Sequence, residues 1–230
     1  MSICIIPARG GSKRIARKNI KYFCGKPMIA WSIQAAQKSN IFSEILISTD
    51  DEEIATLAES FGAKSPFLRP SDLADDYATT GAVMAHACQW IKDEGIKSKF
   101  VCCLYPTAPF VQPSELKEAL SIIETGNWKY VFTAGEYSSP IFRSFTQELN
   151  GGIKMLFPKN FETRSQDFEN VYHDAGMFYF GSLDTWIKGD KVFDCSSFPL
   201  KIPSWRVQDI DTNDDWVRAE MLASLILKNN

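Results

Sequence analysis

The sequence predicts an α/β fold in which a mostly parallel sheet is covered by helices on both faces. Short apolar runs alternate with segments of helical periodicity through the first two thirds of the chain, which is the pattern of strands joined by crossover helices. Hydrophobic residues make up 45% and charged residues 23%, as in a folded globular protein. The length suits one large domain over residues 1–230.

The predicted elements follow in order from the first apolar run. Residues 3–6 form a buried strand, and the next helix has Pro27 in its first turn. Residues 44–50 are a second strand, and the acids at 51–53 suit the N-terminus of a helix that ends near Phe61. The same patterns predict a helix over 79–92, a strand over 100–104, a helix over 113–124 and a strand over 130–134.

Beyond residue 135 the pattern changes to shorter, aromatic strands. Segments 141–145 and 153–157 flank Asn150-Gly151-Gly152, which is typical of a hairpin turn. This antiparallel excursion, about residues 136–172, is a candidate flap or dimerisation arm. Residues 176–180 then return to the main sheet. A final helix covers about 212–228 and begins with a capping-box spacing.

The overall charge and hydropathy exclude several classes of partner. A net charge of -3 gives no global attraction to nucleic acid or to an anionic membrane. No segment approaches the roughly 20 apolar residues of a membrane span, and the N-terminus lacks the features of a secretory signal. We therefore expect a cytoplasmic protein with reduced cysteines, in which any anion site is local.

The strongest local charge lies in residues 7–19, PARGGSKRIARKN. Five cations and two glycines directly follow the first strand, at the position where parallel sheets bind ligands. Glycine lets backbone amides approach an oxyanion, and Arg or Lys can bind it. The loop matches neither the Walker pattern nor G-x-G-x-x-G. It indicates a phosphate site, with a solvated basic loop as the alternative.

Two aspartates near the C-terminus form a second candidate site. Asp209 and Asp211 share one face of an extended segment, while Ile210 faces the core. Neighbouring carboxylates repel unless a cation joins them, and oxygen ligands suit Mg²⁺. The alternative is that Asp211 or Thr212 only caps the final helix.

A third feature surrounds the acidic turn at residues 72–76. Arg69 stands on a stiff, proline-flanked segment before the turn and is placed to bind the acceptor edge of a base. Thr80, after the turn, is a candidate hydroxyl ligand or helix cap. A surface arginine and an ordinary cap are the alternative.

Together these segments resemble the CMP-sugar cytidylyltransferases, the family of CMP-sialic acid synthetases. The matching blocks, in the family's order, are ARGGSK at 8–13 with Lys18-Asn19, Ser48-Thr49-Asp50, Leu68-Arg69-Pro70, YPTAP at 105–109 and DIDT at 209–212. Segments 12–19, 24–30 and 163–166, followed by 172–178, look most like the pseudaminic acid cytidylyltransferase branch. Arg14 and Tyr105 stand where sialic acid enzymes usually have Gly and Gln.

The resemblance implies a nucleotide-diphosphosugar-transferase fold of the Rossmann-like kind. It also implies that CTP and pseudaminic acid give CMP-pseudaminic acid and pyrophosphate with Mg²⁺, for surface glycan or flagellin glycosylation. A homodimer is implied, in which the arm reaches the partner's active site. The alternatives are a CMP-sialic acid or CMP-legionaminic acid synthetase, or a catalytically silent nucleotide-binding partner subunit.

The resemblance also implies roles for individual residues. The CTP contacts are Arg9, Gly10, Gly11, Ser12, Lys18, Asn19, Arg69 and Thr80, and the metal ligands are Asp209 and Asp211. Arg9, Lys18, Asp209 and Asp211 form the catalytic group. The sugar candidates are Tyr105, Arg143, Arg164 and Tyr172, the arginines because a guanidinium matches a carboxylate.

Overall fold

The computed structural model describes residues 2–226. Its helices are α1 (Met28–Ser39), α2 (Glu52–Ser60), α3 (Thr80–Asp93), α4 (Pro113–Glu124), α5 (Leu183–Lys188) and α6 (Asn213–Ile226). Its strands are β1 (Ser2–Pro7), β2 (Tyr22–Phe23), β3 (Lys26–Pro27), β4 (Phe42–Ser48), β5 (Phe100–Leu104), β6 (Tyr130–Glu136), β7 (Phe145–Gln147), β8 (Ile153–Met155), β9 (Tyr172–Ser182) and β10 (Ser197–Ile202). The last two residues of the predicted C-terminal helix, 227 and 228, lie outside the described residues.

The main sheet has six strands in the order β10-β6-β9-β5-β1-β4. β1 pairs in parallel with β4 and β5, and β10 pairs in parallel with β6. Only β9 runs the other way, since it lies antiparallel between β5 and β6. The prediction of a mostly parallel sheet is confirmed, and β9 is the return of the chain after the excursion.

Helices cover both faces of the sheet, as the sequence predicted. The alternation of side chains along β1 shows this, because Ile3 and Ile5 pack in a different core cluster from Cys4 and Ile6. The cluster around Ile3 and Ile5 contains buried residues of α3 and α5. The cluster around Cys4 and Ile6 contains buried residues of α1, α2, α4 and α6. Two apolar layers therefore hold the sheet, which leaves its strand ends free to carry polar loops.

Helix starts follow local sequence signals. Asp51 caps α2 by accepting a hydrogen bond from the Ile54 amide at 3.0 Å, and Pro27 directly precedes α1. The capping box at the start of α6 is present, because the Thr212 hydroxyl accepts from the Asp215 amide at 3.2 Å while the Asp215 carboxylate accepts from the Thr212 amide at 2.9 Å.

The excursion after residue 135 contains the predicted hairpin, but one strand is shifted. β7 and β8 pair antiparallel around the turn at Asn150-Gly151-Gly152. The prediction of a strand over 141–145 was wrong, because residues 141–143 form a turn of 3₁₀ helix after Pro140 and the strand begins only at Phe145.

Four elements between residues 2 and 226 were not predicted: the two-residue strands β2 and β3, the strand β10 and the helix α5. The sequence of β10 contains Pro199 and the charged Lys201, which obscure the pattern of a strand. β10 lies at the edge of the sheet, where proline is tolerated because one side of the strand forms no hydrogen bonds to a neighbour. α5 is only six residues long, too short for periodicity to show. Between residues 2 and 226, no helix has both the length and the apolar character needed to cross a membrane.

Candidate active site

A cavity of about 510 Å³ lies at the carboxyl ends of β1, β4 and β5. Parallel strands place their following loops along one edge, so residues far apart in sequence meet there. Eight predicted site residues line the cavity: Arg9, Ser12, Lys18, Asn19, Arg69, Thr80, Tyr105 and Asp211. The fold therefore brings these eight residues to one concave surface.

The loop after β1 is folded back on its own backbone. Asn19, only 6% exposed, donates its side-chain amide to the Arg9 carbonyl at 2.9 Å. The Gly10 amide donates to Asp50 Oδ1 at 2.9 Å, and a Cβ at Gly10 would stand 2.6 Å from Asp51 Oδ2. Gly10 is therefore required for close approach to the start of α2, whereas Gly11 has open space around it.

Arg17 ties this loop to the start of α2. Its guanidinium binds both oxygens of Asp51 and also reaches Glu53. The hydrogen bond from Arg17 lowers the pKa of the Asp51 carboxyl, with support from the amides of the helix. One cation of the loop thus has a structural partner, and it does not line the cavity.

The acidic turn at residues 72–76 supplies partners for two other loop cations. Arg9 donates to the Asp75 carbonyl at 2.7 Å and lies 3.0 Å from Asp76 Oδ1. Lys13 binds the other oxygen of Asp76, and its hydrogen bond lowers the pKa of that carboxyl. Because Asp75 and Asp76 line the same cavity, their oxygens stand where an incoming anion would meet Arg9 and Lys13.

The DIDT segment brings its carboxylates to the same loop. Lys18 donates to the Ile210 carbonyl at 2.6 Å and lies 3.1 Å from Asp211 Oδ1. Arg14, for which the sequence indicated no target, contacts Asp211 Oδ2 at 2.8 Å. Ile210 is fully buried, as predicted. The Asp211 side chain therefore lines the cavity, while Thr212 and Asp215 cap α6.

Asp209 and Asp211 are the carboxylates of this segment that could hold a divalent cation with few protein ligands. Desolvation, followed by the charge of Asp211, raises the pKa of the Asp209 carboxyl, so a cation between the two would relieve a repulsion. Within residues 2–226 no group of three or more His, Cys, Asp or Glu side chains is arranged to bind a metal. Mg²⁺ suits such a site, because it keeps several waters and uses substrate phosphates as ligands.

Arg69 is buried beside the cavity at 6% exposure. Its guanidinium donates to the hydroxyl of Ser48 at 3.1 Å and to the Ser48 carbonyl, and its own amide donates to the Thr49 carbonyl at 2.7 Å. Burial lowers the pKa of this guanidinium, yet an arginine stays charged. Hydrogen bonds to the Ser48-Thr49-Asp50 segment thus hold Arg69 and Gly10 in position.

Thr80 and Tyr105 also line the cavity, and their side chains contact each other. Thr79 is the N-cap of α3 and Thr80 is its first residue, so Thr80 is not the cap. The Thr80 hydroxyl lies 3.0 Å from the Tyr105 hydroxyl, and burial raises the pKa of Tyr105 to about 12. Tyr105 therefore presents a protonated hydroxyl at neutral pH.

The remaining predicted site residues do not line the cavity. Gly10 and Gly11 belong to the cationic loop but are not part of the cavity wall, and Asp209, unlike Asp211, is not part of it either. Arg143 donates to the Thr163 carbonyl at 2.8 Å within the arm, and Arg164 begins the next 3₁₀ turn of that arm. The Tyr172 hydroxyl accepts a hydrogen bond from Lys201 at 2.7 Å. Within one chain, Arg143, Arg164 and Tyr172 are therefore not placed at the cavity.

Sequence reasoning missed several residues around the site. Asp76 was recognised only as part of an acidic turn, and its pairing with Arg9 and Lys13 depends on chain folding. Arg206 and Glu115, both 8% exposed, form an ion pair that anchors the segment before Asp209 to α4. Glu115 follows Gln112 by three residues, which is a capping-box signal that the sequence shows. No sequence signal identified Arg206 as the partner of Glu115.

Comparison with known proteins places this site in context. The family model described as "Cytidylyltransferase" matches residues 3–144. A pseudaminic acid cytidylyltransferase of Campylobacter jejuni subsp. jejuni serotype O:23/36 (strain 81-176) is 44% identical over 221 residues, which cover 96% of this chain and 95% of the relative. A CMP-N,N'-diacetyllegionaminic acid synthase of Legionella pneumophila is 30% identical and covers 97% of this chain and 96% of the relative.

Solved structures show the same fold. A CMP:2-keto-3-deoxy-manno-octonic acid synthetase, solved in complex with CTP, superposes with a TM-score of 0.72 over 97% of this chain and 98% of its own, at 14% identity. These comparisons confirm both the predicted fold class and the resemblance drawn from the motifs.

Proposed function

This chain belongs to the cytidylyltransferase family, and from that premise we propose that it transfers a cytidylyl group from CTP to pseudaminic acid. The chain is a nucleotidyltransferase, and the products would be CMP-pseudaminic acid and pyrophosphate. The sugar is chosen because the relative at 44% identity carries that name while the legionaminic acid synthase is 30% identical. We take residues 1–230 as one catalytic domain that acts in the cytoplasm, as part of surface glycan or flagellin glycosylation.

One structural observation carries the nucleotide part of the proposal. Five cationic side chains line the cavity at the carboxyl edge of the sheet: Arg9, Lys13, Arg14, Lys18 and Arg69. The chain as a whole carries a net charge of -3, so the cationic lining of this cavity is a local feature and does not follow from the overall charge. A triphosphate with its charge distributed over three phosphoryl groups matches such a surface.

The chain's residues would act by positioning and by charge stabilisation. In the proposed reaction the anomeric hydroxyl of the sugar acid attacks the α-phosphorus of CTP in line, and the bond to pyrophosphate breaks. Arg9 and Lys13 would release the carboxylate of Asp76 and bind the phosphates of CTP instead. Arg69 would bind the cytidine portion. Lys18, held by Ile210 and Asp211, would fix the carboxylate segment against the phosphate loop.

Asp211, together with Asp209, would hold Mg²⁺. When bound, that ion would neutralise negative charge on the phosphates. Arg14 and Lys18 already compensate Asp211, so they would keep its carboxylate oriented before nucleotide and metal arrive. Neither of the two histidines lines the cavity, and the proposal assigns no histidine as a base.

We also propose that the functional unit is a homodimer in which residues 136–172 are the dimerisation arm. The arm exposes large apolar side chains, among them Phe145, Leu149 and Ile153. Contiguous exposed apolar residues are typical of an interaction surface. In this arrangement Arg143, Arg164 and Tyr172 would serve the sugar site of the partner, which accounts for their distance from their own cavity.

Pyrophosphate release coupled to a colour reaction tests the proposal. The purified chain is incubated with CTP and Mg²⁺ and with pseudaminic, sialic or legionaminic acid in turn. Release that is fastest with pseudaminic acid supports the proposed substrate. Preference for either of the other acids refutes that substrate while keeping the reaction. Binding of CTP without release with any acid indicates a catalytically silent nucleotide-binding subunit.

A further inference from the structure

We propose that Asp76 is an internal competitor for the phosphate-binding cations of the cavity, and that it weakens the binding of pyrophosphate and so speeds its release. The inference rests on the proposed function, because it takes Arg9 and Lys13 as phosphate ligands. Asp76 lines the cavity together with both cations. A carboxylate in that place occupies the donors that a phosphate oxygen would otherwise use.

Asp76 contacts both cations directly. Arg9 Nη1 lies 3.0 Å from Asp76 Oδ1, and Lys13 Nζ binds Oδ2. One carboxylate therefore holds two cations of the loop after β1, each through a different oxygen. The hydrogen bond from Lys13 lowers the pKa of Asp76, so the carboxylate is charged at neutral pH and substitutes for an anionic ligand.

The turn that carries Asp76 has a defined shape. Asp75 Oδ1 accepts hydrogen bonds from the amides of Tyr77 and Ala78, at 2.9 Å and 2.7 Å, as in turns in which an aspartate side chain bonds to the backbone that follows it. The Asp75 carbonyl accepts from Arg9 at 2.7 Å. Asp75 therefore stabilises the turn and leaves the carboxylate of Asp76 for the cations.

This turn is anchored at both ends and exposed between them. Before it, the Arg69 amide donates to the Thr49 carbonyl at 2.7 Å. After it, Thr79 caps α3 by accepting from the Ala82 amide at 3.2 Å. Residues 75–77 are exposed, and an exposed turn of this kind moves without disturbing the core. Asp76 can therefore leave the cations while both ends of the turn stay in place.

The exposure of the three side chains suits a reversible contact. Arg9 and Asp76 are 37% and 39% exposed, and Lys13 is 79% exposed. Ion pairs at such exposure are weak. A phosphate can therefore displace the carboxylate of Asp76, and the carboxylate can displace a departing pyrophosphate in turn.

The alternative is that Asp76 positions Arg9 and Lys13 for the phosphates. The two roles predict opposite effects, because loss of a competitor tightens phosphate binding and loss of a positioning residue weakens it. Arg9 has other supports in the structure. Its guanidinium donates to the Asp75 carbonyl, and its own carbonyl accepts from Asn19 at 2.9 Å. Arg9 therefore stays at the cavity without Asp76, which favours the competitor.

The test measures the Kd for inorganic pyrophosphate and for CTP by calorimetry. Asp76→Asn removes the charge and keeps the size of the side chain, and Asp76→Glu keeps the charge. Asp72→Asn is the matched control, because it makes the same change of net charge in the same acidic turn. Asp72 is exposed and does not line the cavity. Circular dichroism checks that each variant is folded.

We expect Asp76→Asn to lower the Kd for pyrophosphate about fivefold to tenfold, as two partly exposed ion pairs no longer compete. The Kd for CTP should fall in the same direction. Asp76→Ala should give the same result, Asp76→Glu should stay within about threefold of wild type, and Asp72→Asn within about twofold. An unchanged or higher Kd for pyrophosphate in Asp76→Asn overturns the proposal. An equal fall in Asp72→Asn overturns it as well, because the effect would then be one of general charge.

Turnover separates this inference from the proposed function. If wild type releases pyrophosphate from CTP with none of the sugar acids, the proposed function fails, while the pyrophosphate affinities still decide the role of Asp76. If neither wild type nor Asp76→Asn binds pyrophosphate, the inference is overturned. If a sugar acid is turned over, added pyrophosphate should inhibit Asp76→Asn at about fivefold to tenfold lower concentration than wild type, and equal inhibition overturns the inference.

Discussion

Replacing Arg206 with methionine should destabilise the protein strongly, because it leaves Glu115 as an uncompensated charge in the interior. Both residues are 8% exposed. The Arg206 guanidinium contacts both oxygens of Glu115, one of them at 3.1 Å, and donates to the Phe110 carbonyl at 3.2 Å. Methionine has a similar length but none of these donors, so the loss is electrostatic and not a loss of volume.

Breaking a buried pair by removing one partner costs about 3–5 kcal/mol. Since a domain has roughly 5–15 kcal/mol of stability, this is a large part of the total. At about 2–4 °C per kcal/mol for a chain of this size, the midpoint of thermal unfolding should fall by about 6–20 °C. Arg206 lies three residues before Asp209, and the loss should therefore also loosen the carboxylate segment.

Urea unfolding followed by tryptophan fluorescence measures the effect. The control is Lys64→Met, which breaks a surface pair with Glu44 whose lysine side chain is 65% exposed, and which should cost less than about 1 kcal/mol. A second variant joins Arg206→Met to Glu115→Leu and should be more stable than Arg206→Met alone, because it removes the orphaned carboxylate. A loss of unfolding free energy below about 1 kcal/mol in Arg206→Met would refute the reasoning. So would a double variant whose loss equals the sum of the losses in Arg206→Met and Glu115→Leu measured separately.

Three further outcomes are expected. Asp211→Asn should reduce turnover about 100-fold or more with the fold intact by circular dichroism, and near-normal Mg²⁺-dependent turnover would contradict the metal assignment. Arg9→Ala should raise the Kd for CTP about tenfold or more in calorimetry, whereas an unchanged Kd would remove Arg9 from the phosphate site. Because Arg17 lowers the pKa of Asp51, the stability from this pair is complete above about pH 4 and is lost as pH falls through the lowered value. Arg17→Ala should therefore flatten the fall in unfolding free energy below about pH 4, and an unchanged acid profile would contradict the pairing.

Local sequence signals were sufficient for the main elements of the fold. Within residues 2–226, the alternation of apolar runs with helical periodicity predicted five of the six strands of the main sheet and five of the six helices, and β5 and α4 have the predicted bounds. Such signals succeed because backbone preference, capping and one-sided burial act within a few residues. They failed at residues 141–143, where a proline and the packing of the arm favour a 3₁₀ turn over extension.

The residue types of the candidate site were also visible in the sequence. A glycine-containing cationic loop after a buried strand and two aspartates on one face of a segment are local patterns, and both lie at the cavity edge of the sheet. Their partners were not visible. Arg14 and Asp211 are separated by almost the whole chain, so their 2.8 Å contact depends on where α6 begins relative to the loop after β1.

By itself, then, the sequence determined the α/β class, the apolar cores and the family, because each of these depends on residue pattern along the chain. Tertiary structure decided which charges compensate one another and which hydroxyls meet. The insertion of β9 between β5 and β6 brings Tyr179 beside Tyr105, and the acidic turn brings Asp76 to Arg9. These pairings arise from strand order and loop closure, which have no signature in local periodicity because the residues involved are distant in the chain.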